Sequence, residues 1–195
     1  MSIVQKVKNE ISRLNQKFIE ESDDGYDFWE NHIKFVVDEG KKLAGEYGAD
    51  LEIVELGALL HDIALVAKVG TKVDHNENGA KLAERMLIEF NYPEYKTRKV
   101  VGCVLHHRSS KNAQTIEELC VADADIIAHF LNHDMIFNVS KKRGYTRAKT
   151  IEWMMKDYND LSSKTRERYN TSLKKIIDEF VEKVNNADDS FFEEE

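Results

Sequence analysis

Apolar residues recur along this chain at intervals of three and four, the spacing that places them on one face of a helix. The pattern is clear in the first segment, where one face carries Ile3, Val7, Ile11, Leu14 and Phe18. No segment alternates apolar and polar residues between turn signals, so no strand is predicted. The single proline, Pro93, also favours a mostly helical fold.

Short polar segments containing glycine, asparagine or aspartate separate the periodic stretches and set the predicted helix ends. Asp27 is placed to cap the second helix. The predicted helices cover residues 3–20, 28–47, 51–66, 75–90, 95–107, 116–130, 146–158 and 164–185. Neither an internal repeat nor a domain boundary is evident, so we predict one all-α domain with the form of a helical bundle.

Within that single domain we expect three parts. Residues 1–25 form an N-terminal helix that packs on the domain, and residues 26–186 form the helical core with its C-terminal helices. Residues 187–195 are an acidic tail that we expect to fray, although Phe191 and Phe192 are an unusual apolar pair there. The segment 132–160 is a candidate lid over a substrate pocket.

The amino-acid composition and the net charge indicate which classes of molecule the protein can bind. The chain has 195 residues, of which 42% are hydrophobic and 33% charged, which suits a soluble domain with a real core. The net charge of -8 argues against a nucleic-acid polymer as partner, because neutralising phosphates needs a basic surface. A small anionic substrate stays possible, since a bound metal ion can reverse the local field of a pocket.

The two cysteines point to a reducing compartment. Cys103 and Cys120 both lie in apolar segments and are interpreted as reduced core residues of an intracellular protein. No apolar run approaches the length of a membrane span, and the first ten residues are too charged for a signal peptide. We therefore expect a cytoplasmic protein that does not associate with membranes.

The pair His61-Asp62 carries the strongest chemical signal, because it closes the apolar run of residues 53–60. Polar side chains at the end of a buried segment are costly unless something satisfies them. A divalent cation would do so if other ligands arrive from elsewhere in the chain. The candidates are His32, His75, His106, His107 and Asp125.

Two acids, Asp123 and Asp125, lie inside the apolar run of the predicted helix 116–130. A buried carboxylate needs a partner, and a cation can supply it. A site formed by His32, His61, Asp62 and Asp125 would mix imidazole and carboxylate ligands. That mixture suits Mn, Fe, Co, Ni or Zn, and Mg less well.

These residues, taken in order, resemble the HD-domain superfamily of metal-dependent phosphohydrolases. The matching features are His32, the sequence Ala58-Leu59-Leu60-His61-Asp62-Ile63, and the sequence Asp123-Ala124-Asp125. The family signature is a histidine, then a His-Asp pair at a helix end, then a distant aspartate. The resemblance implies an HD-domain helical bundle and spans about residues 26–130.

The resemblance also implies a ligand set. The first metal would be held by His32, His61, Asp62 and Asp125, with Asp125 preferred over Asp123. The sequence His75-Asn76-Glu77-Asn78-Gly79-Ala80 resembles a helix start seen in many HD proteins, so a second metal is expected at His75 and His107, with Asp62 as a bridge. His106 is the alternative to His107. One or two ions per chain are therefore expected.

Basic residues follow the histidines in the sequence and are candidate phosphate contacts. Lys68 and Lys72 lie in the loop after the His-Asp pair, and Arg108 follows His107. Arginine can hold a phosphate through two hydrogen bonds, whereas lysine acts as a mobile point charge. The lysine that the family often carries shortly after His-Asp is absent here, where Ile63-Ala64-Leu65 stands instead.

The leading hypothesis is a metal-dependent phosphohydrolase that acts on a nucleotide or another small phosphate ester or anhydride. A metal-activated water would attack phosphorus, with Asp62 and His61 as catalytic residues. The alternatives are a di-iron oxygenase of the same superfamily, which would use His75 and His107, and a regulatory module that binds a nucleotide without turnover. The resemblance also leaves a homodimer open, because helix-rich HD-domain proteins often dimerise.

The remaining polar residues have simpler interpretations. His129 and His133 are expected at or beyond the end of their helix, without a metal. Asp123 is a candidate acceptor that orients a ligating histidine.

Overall fold

The computed structural model describes residues 1–22 and 25–192, and all its regular structure is helical. It confirms the predicted all-α fold. A π-helical turn (Trp29–Ile33) runs directly into the second helix. The helices are α1 (Ile3–Glu21), α2 (Lys34–Tyr47), α3 (Leu51–Leu60), α4 (Ile63–Val66), α5 (His75–Glu89), α6 (Glu94–His106), α7 (Ile116–Leu131), α8 (His133–Lys142), α9 (Arg147–Asp160) and α10 (Ser163–Asn186).

The core forms around α3 and α7, which are the two most apolar of the described helices with ten or more residues. α3 is buried on nearly all sides because α1, α2, α6 and α7 pack around it. α7 lies along α2 and also contacts α9 and α10. This arrangement explains why both helices lack an exposed polar face, as expected of a helix enclosed by others.

The predicted helix over residues 51–66 is wrong at one point, because the chain breaks at His61 and Asp62. Asp62 leaves the helical conformation at φ -103° and ψ 17°. Its carbonyl oxygen accepts hydrogen bonds from the amides of Leu65 and Val66, at 2.9 and 3.1 Å, which starts the short helix α4. The break frees the two neighbouring side chains from the 100° separation that a continuous helix imposes.

Asp27 caps its helix as predicted, since its Oδ1 accepts a hydrogen bond of 3.0 Å from the amide of Glu30. The neighbouring Asp23 and Asp24, which form part of the predicted break, lie outside the described residues. At the amino terminus, α1 packs against α3 and α4.

The segment between α7 and α9 forms α8, which the sequence analysis left unassigned. It buries Ile136, Phe137 and Ser140 and packs on α7 and α9. The expectation of a frayed tail needs correction for residues 187–192. Phe192 is buried against Phe137, with ring centroids 5.8 Å apart, because the apolar pair completes the packing over α8. Residues 193–195 lie outside the described chain.

Within residues 1–22 and 25–192, we find no helix with both the length and the apolar content that crossing a membrane requires.

Close packing of α3 depends on Gly57. A Cβ atom there would lie 2.6 Å from the Cβ of Cys103 on α6, so Gly57→Ala should lower the free energy of unfolding by about 1–3 kcal/mol. Gly45, on the exposed side of α2, has nothing within 4 Å of an added Cβ. Gly45→Ala should therefore be neutral or stabilising by up to about 1 kcal/mol. Urea denaturation measures both, and equal stabilities would contradict the packing.

Candidate metal centre

Three parts of the chain bring the first group of candidate ligands together. His32 lies in the π-helical turn before α2, His61 and Asp62 lie at the break between α3 and α4, and Asp125 lies in α7. All four side chains are buried. Single π-helical turns within α-helices are frequent at functional sites, and here the turn contains His32.

The polar atoms of this group converge. Nε2 of His32 lies 3.0 Å from Nε2 of His61 and 3.0 Å from Oδ1 of Asp125. Oδ2 of Asp62 lies 3.7 Å from Nε2 of His32 and 3.6 Å from Nε2 of His61. The four side chains therefore present nitrogen and oxygen atoms to one small volume.

A second group lies on the other side of Asp62. His75 begins α5, and His107 follows the last residue of α6. Their Nε2 atoms are 3.0 Å apart. They lie 3.3 and 3.7 Å from Oδ1 of Asp62. The two carboxylate oxygens of Asp62 thus face different pairs of imidazoles.

Backbone carbonyls fix the orientation of three of these imidazoles. Nδ1 of His61, His75 and His107 lies 2.7–2.8 Å from the carbonyl oxygens of Ala58, Lys72 and Val104 respectively. A carbonyl oxygen only accepts, so each Nδ1 carries the proton. In the neutral ring the opposite nitrogen, Nε2, then bears a lone pair.

The lone pairs of His75 and His107 consequently face each other at 3.0 Å, where neither neutral ring can donate a hydrogen bond. A cation between them would satisfy both. Two nitrogen ligands at about 2.1 Å from one ion, at right angles, are about 3.0 Å apart. The spacing and the donor types therefore fit a divalent metal ion.

Burial and neighbouring charges favour the protonation states that ligation needs at four of the ligands. His75 differs, because burial lowers its pKa but Asp62 outweighs this and raises the pKa. Burial lowers the pKa of His61, and it lowers the pKa of His107 to about 4. Burial would raise the pKa of Asp62, but His61 and His75 outweigh this and hold it well below its usual range. Likewise, burial opposes ionisation of Asp125, yet His129 and His32 lower its pKa. Near pH 7 the carboxylates are charged and His61 and His107 are neutral.

The structure brings together six of the predicted residues, and it leaves two candidates outside. Nδ1 of His106 lies 2.8 Å from a carboxylate oxygen of Glu118, away from both groups. Asp123 is fully buried but accepts hydrogen bonds from the hydroxyls of Ser110, Ser162 and Thr165. The interpretation of Asp123 as an acceptor for a ligating histidine is therefore wrong. It joins α7 to the start of α10 instead.

The sequence analysis expected His129 at or beyond the end of its helix without a metal, but the structure places it beside the first group, where His32, Asp125 and His129 lie close enough together to hold an ion. Its ring stacks on His32 with centroids 5.3 Å apart, and its Nε2 lies 3.8 Å from Oδ1 of Asp125. Its Nδ1 lies 2.8 Å from Oδ2 of Asp157. Burial lowers its pKa, but Asp125 and Asp157 outweigh this and raise it to about 9. The i,i+4 spacing from Asp125 along a helix was the available signal. His133, in contrast, packs against Phe180.

A cavity of about 670 Å³ opens onto both groups of ligands. This volume lies within the usual range for small-molecule sites. Part of its wall is aromatic, formed by Phe18, Tyr26, Phe28 and Trp153.

Four basic residues also line this cavity, namely Lys72, Arg108, Lys142 and Arg143. Lys68 is not among the lining residues, although the sequence analysis proposed it. Its ammonium group donates a 3.0 Å hydrogen bond to the carbonyl of Glu21 and lies over the ring of Phe18 at 4.8 Å. Lys68 therefore joins the loop after α4 to α1.

The two acids of α7 allow a matched test. Asp123→Asn replaces an acceptor of buried hydroxyl hydrogen bonds by a donor, so it should cost about 1.5–3 kcal/mol of stability while Mn²⁺ binding persists. Asp125→Asn should weaken Mn²⁺ binding roughly tenfold or more. Urea denaturation in EDTA and elemental analysis of the Mn-loaded proteins measure the two effects. Mn²⁺ lost from Asp123→Asn but kept by Asp125→Asn would contradict these placements.

Solved structures share this fold. The crystal structure of Bacillus subtilis YpgQ aligns over 97% of this chain and 100% of its own, with a TM-score of 0.69 and 16% identity. That of a predicted HD superfamily hydrolase from an uncultured Thermotogales bacterium aligns over 90% of this chain and 89% of its own, with a TM-score of 0.63 and 20% identity. At these identities the likeness shows the fold alone.

The chain is also similar in sequence to known proteins. Ribonuclease Y of Treponema denticola is 34% identical over 97 residues, which make up 50% of this chain and 18% of that protein. The chain thus spans less than a fifth of that relative's length. The sequence model of the HD domain matches residues 29–129, a range that includes all six converging ligands and, as its last residue, His129. This match covers more than half of the chain, which therefore belongs to the HD domain family.

Proposed function

We propose that this protein is a metal-dependent phosphohydrolase that cleaves a phosphate ester or anhydride of a nucleotide or another small molecule. The observation that carries the proposal is the position of Asp62, whose two oxygens face separate pairs of imidazole nitrogens. Two metal sites that share a carboxylate are suited to holding a phosphate and the attacking water in line.

Three groups of side chains lie close enough together to hold an ion, namely His32, His61 and Asp62, then His32, Asp125 and His129, and then Asp62, His75 and His107. In the proposal, His32, His61, Asp62 and Asp125 would hold one ion, and Asp62, His75 and His107 would hold the second. When bound, a divalent metal lowers the pKa of a water molecule and neutralises charge on the phosphate. Imidazole and carboxylate ligands together suit Mn, Fe, Co, Ni or Zn more than Mg.

Side chains of the protein would supply the proton acceptor, the orientation of the ligands and the contact with phosphate. Asp62 is the proposed acceptor for the proton of the attacking water, because its two carboxylate oxygens face both groups of imidazoles. His61 is held in one orientation by the carbonyl of Ala58, so its Nε2 stays directed at the site. Arg108 donates a 2.8 Å hydrogen bond to the carbonyl of Val73, which anchors its guanidinium beside the cavity for contact with phosphate.

A small substrate fits this chain better than a polymer. The cavity of about 670 Å³ suits a molecule of nucleotide size, and the net charge of -8 disfavours a long polyanion. Ribonuclease Y acts on RNA by its name, but the similarity covers 18% of that protein. We therefore propose a small phosphorylated substrate here.

A di-iron oxygenase is the second candidate, and one observation favours it. Four imidazoles and a bridging carboxylate surround the two ligand volumes, a donor set that also suits paired iron ions. Protein purified in air with two tightly bound irons, oxygen uptake with organic substrates and no phosphate release would favour this alternative.

Phosphate release in the presence of Mn²⁺ tests the proposal on a panel of nucleotides and phosphate esters. Asp62→Asn should lower kcat/KM by roughly 10²–10⁴-fold, because it removes the shared ligand and the proton acceptor. Asp38, an exposed acid on α2, supplies the matched control, and Asp38→Asn should retain full activity. Full activity in a metal-free Asp62→Asn protein would disprove the proposal.

A further inference from the structure

Three basic side chains of the described residues line the cavity without an ion pair to a carboxylate. Lys72 lies in the loop before α5, Arg108 follows α6, and Arg143 follows α8. Among the residues that the structure describes, none of these three side chains forms an ion pair with an acid, although the chain has 36 acidic and 28 basic residues. Arg143 donates a hydrogen bond of 3.3 Å to the hydroxyl of Tyr145, and Arg108 donates one of 2.8 Å to the carbonyl of Val73.

Lys72 and Arg143 line the same cavity, so their like charges face the same volume. Although much of Lys72 is exposed, its surroundings desolvate the ammonium group and lower its pKa, and Arg143 lowers it further. Asp62 and Asp125 oppose this lowering of the pKa, and these two carboxylates line the same cavity. The ammonium also lies 5.3 Å from the ring centroid of Trp153, which places it against α9.

Like charges held together at a cavity wall are unfavourable until an anion lies between them. The phosphate that undergoes hydrolysis would already be neutralised at the metal ligands. A second anionic group is therefore what these cations can accept. Arg143 and Trp153 lie beyond residues 29–129, the range that matches the HD domain. Of the two cations, Lys72 therefore lies within the HD domain and Arg143 lies in the segment that follows it.

We propose that Lys72 and Arg143 form a second phosphate subsite, and that the substrate is an organic di- or triphosphate. One phosphate would lie at the metal ligands and its neighbour between Lys72 and Arg143, with the organic group against the aromatic wall. This inference rests on the proposed phosphohydrolase function and narrows its substrate from phosphate compounds in general to phosphoanhydrides.

The reaction is then hydrolysis of a P–O–P linkage. The water oxygen forms a bond to the phosphorus at the metal ligands, and the bond from that phosphorus to the bridging oxygen breaks. The bridging oxygen leaves on the second phosphate, and the two protons of the water are shared between the products and solvent. Lys72 and Arg143 would stabilise the negative charge that develops on the leaving phosphate.

Binding of two phosphonates to the full Mn²⁺-saturated protein tests the subsite. Methylphosphonate offers one anionic group, and methylenediphosphonate offers two with a P–C–P linkage that cannot be hydrolysed. Isothermal titration calorimetry should show that the wild type prefers the diphosphonate by roughly tenfold or more, as expected for added charge-assisted hydrogen bonds. Arg143→Ala and Lys72→Ala should remove most of that preference and leave methylphosphonate affinity unchanged.

Lys149→Ala is the matched control, because Lys149 lies over the ring of Tyr145 and does not line the cavity. It should keep the full preference. The subsite is disproved if the wild type binds both probes equally, if the preference survives in both variants and so belongs to the metal ions, or if the variants weaken both probes alike.

Turnover separates this inference from the function on which it rests. Mn²⁺-dependent hydrolysis of monoesters without a diphosphonate preference would leave the phosphohydrolase standing and overturn the subsite. An Arg143-dependent preference in a protein that hydrolyses no phosphate compound would support the subsite and overturn the proposed function.

Discussion

The site depends on one physical constraint, which is that buried imidazole lone pairs must have a partner. Backbone carbonyls hold the Nδ1 protons of His61, His75 and His107, so the opposite nitrogens point into the site as acceptors. A cluster of acceptors and ionised carboxylates inside an apolar core is unfavourable by itself. Bound cations would resolve that conflict. The break after α3 places Asp62 where its two oxygens face both groups of imidazoles.

Much of the site was predictable because metal ligation restricts residue types and their order. His32, His61, Asp62 and Asp125 could be identified from a costly polar pair and a resemblance in sequence order. The choice between Asp123 and Asp125 could not be made from residue type, since both are buried acids on one helix. It depends on which neighbours each side chain meets, and the hydroxyls that surround Asp123 come from distant parts of the chain.

The helices were predictable from apolar periodicity, and the errors have physical causes. The break at Asp62 lies between two apolar stretches, residues 53–60 and 63–67, and periodicity across them carries no signal for a change in backbone direction. α8 was missed because its buried face consists of few residues, with Ile136 and Phe137 as its main apolar contacts. The packing of Phe192 against Phe137 is a tertiary contact that local composition does not reveal.

Different parts of the chain supply the proposed metal ligands and the outer walls of the substrate cavity. The candidate ligands lie within the residues that match the HD domain, whereas Phe18, Phe28, Arg143 and Trp153 line the same cavity from segments on either side. In this chain the flanks add aromatic surface and positive charge at the cavity.

The central claim is that the facing imidazoles exist to hold metal ions. Titration of EDTA-treated protein with Mn²⁺, followed through the electron paramagnetic resonance signal of the free ion, tests this directly. The account predicts saturable binding of two ions per chain, with one lost in His107→Ala. Absence of saturable binding, or the same stoichiometry in His107→Ala, would contradict it.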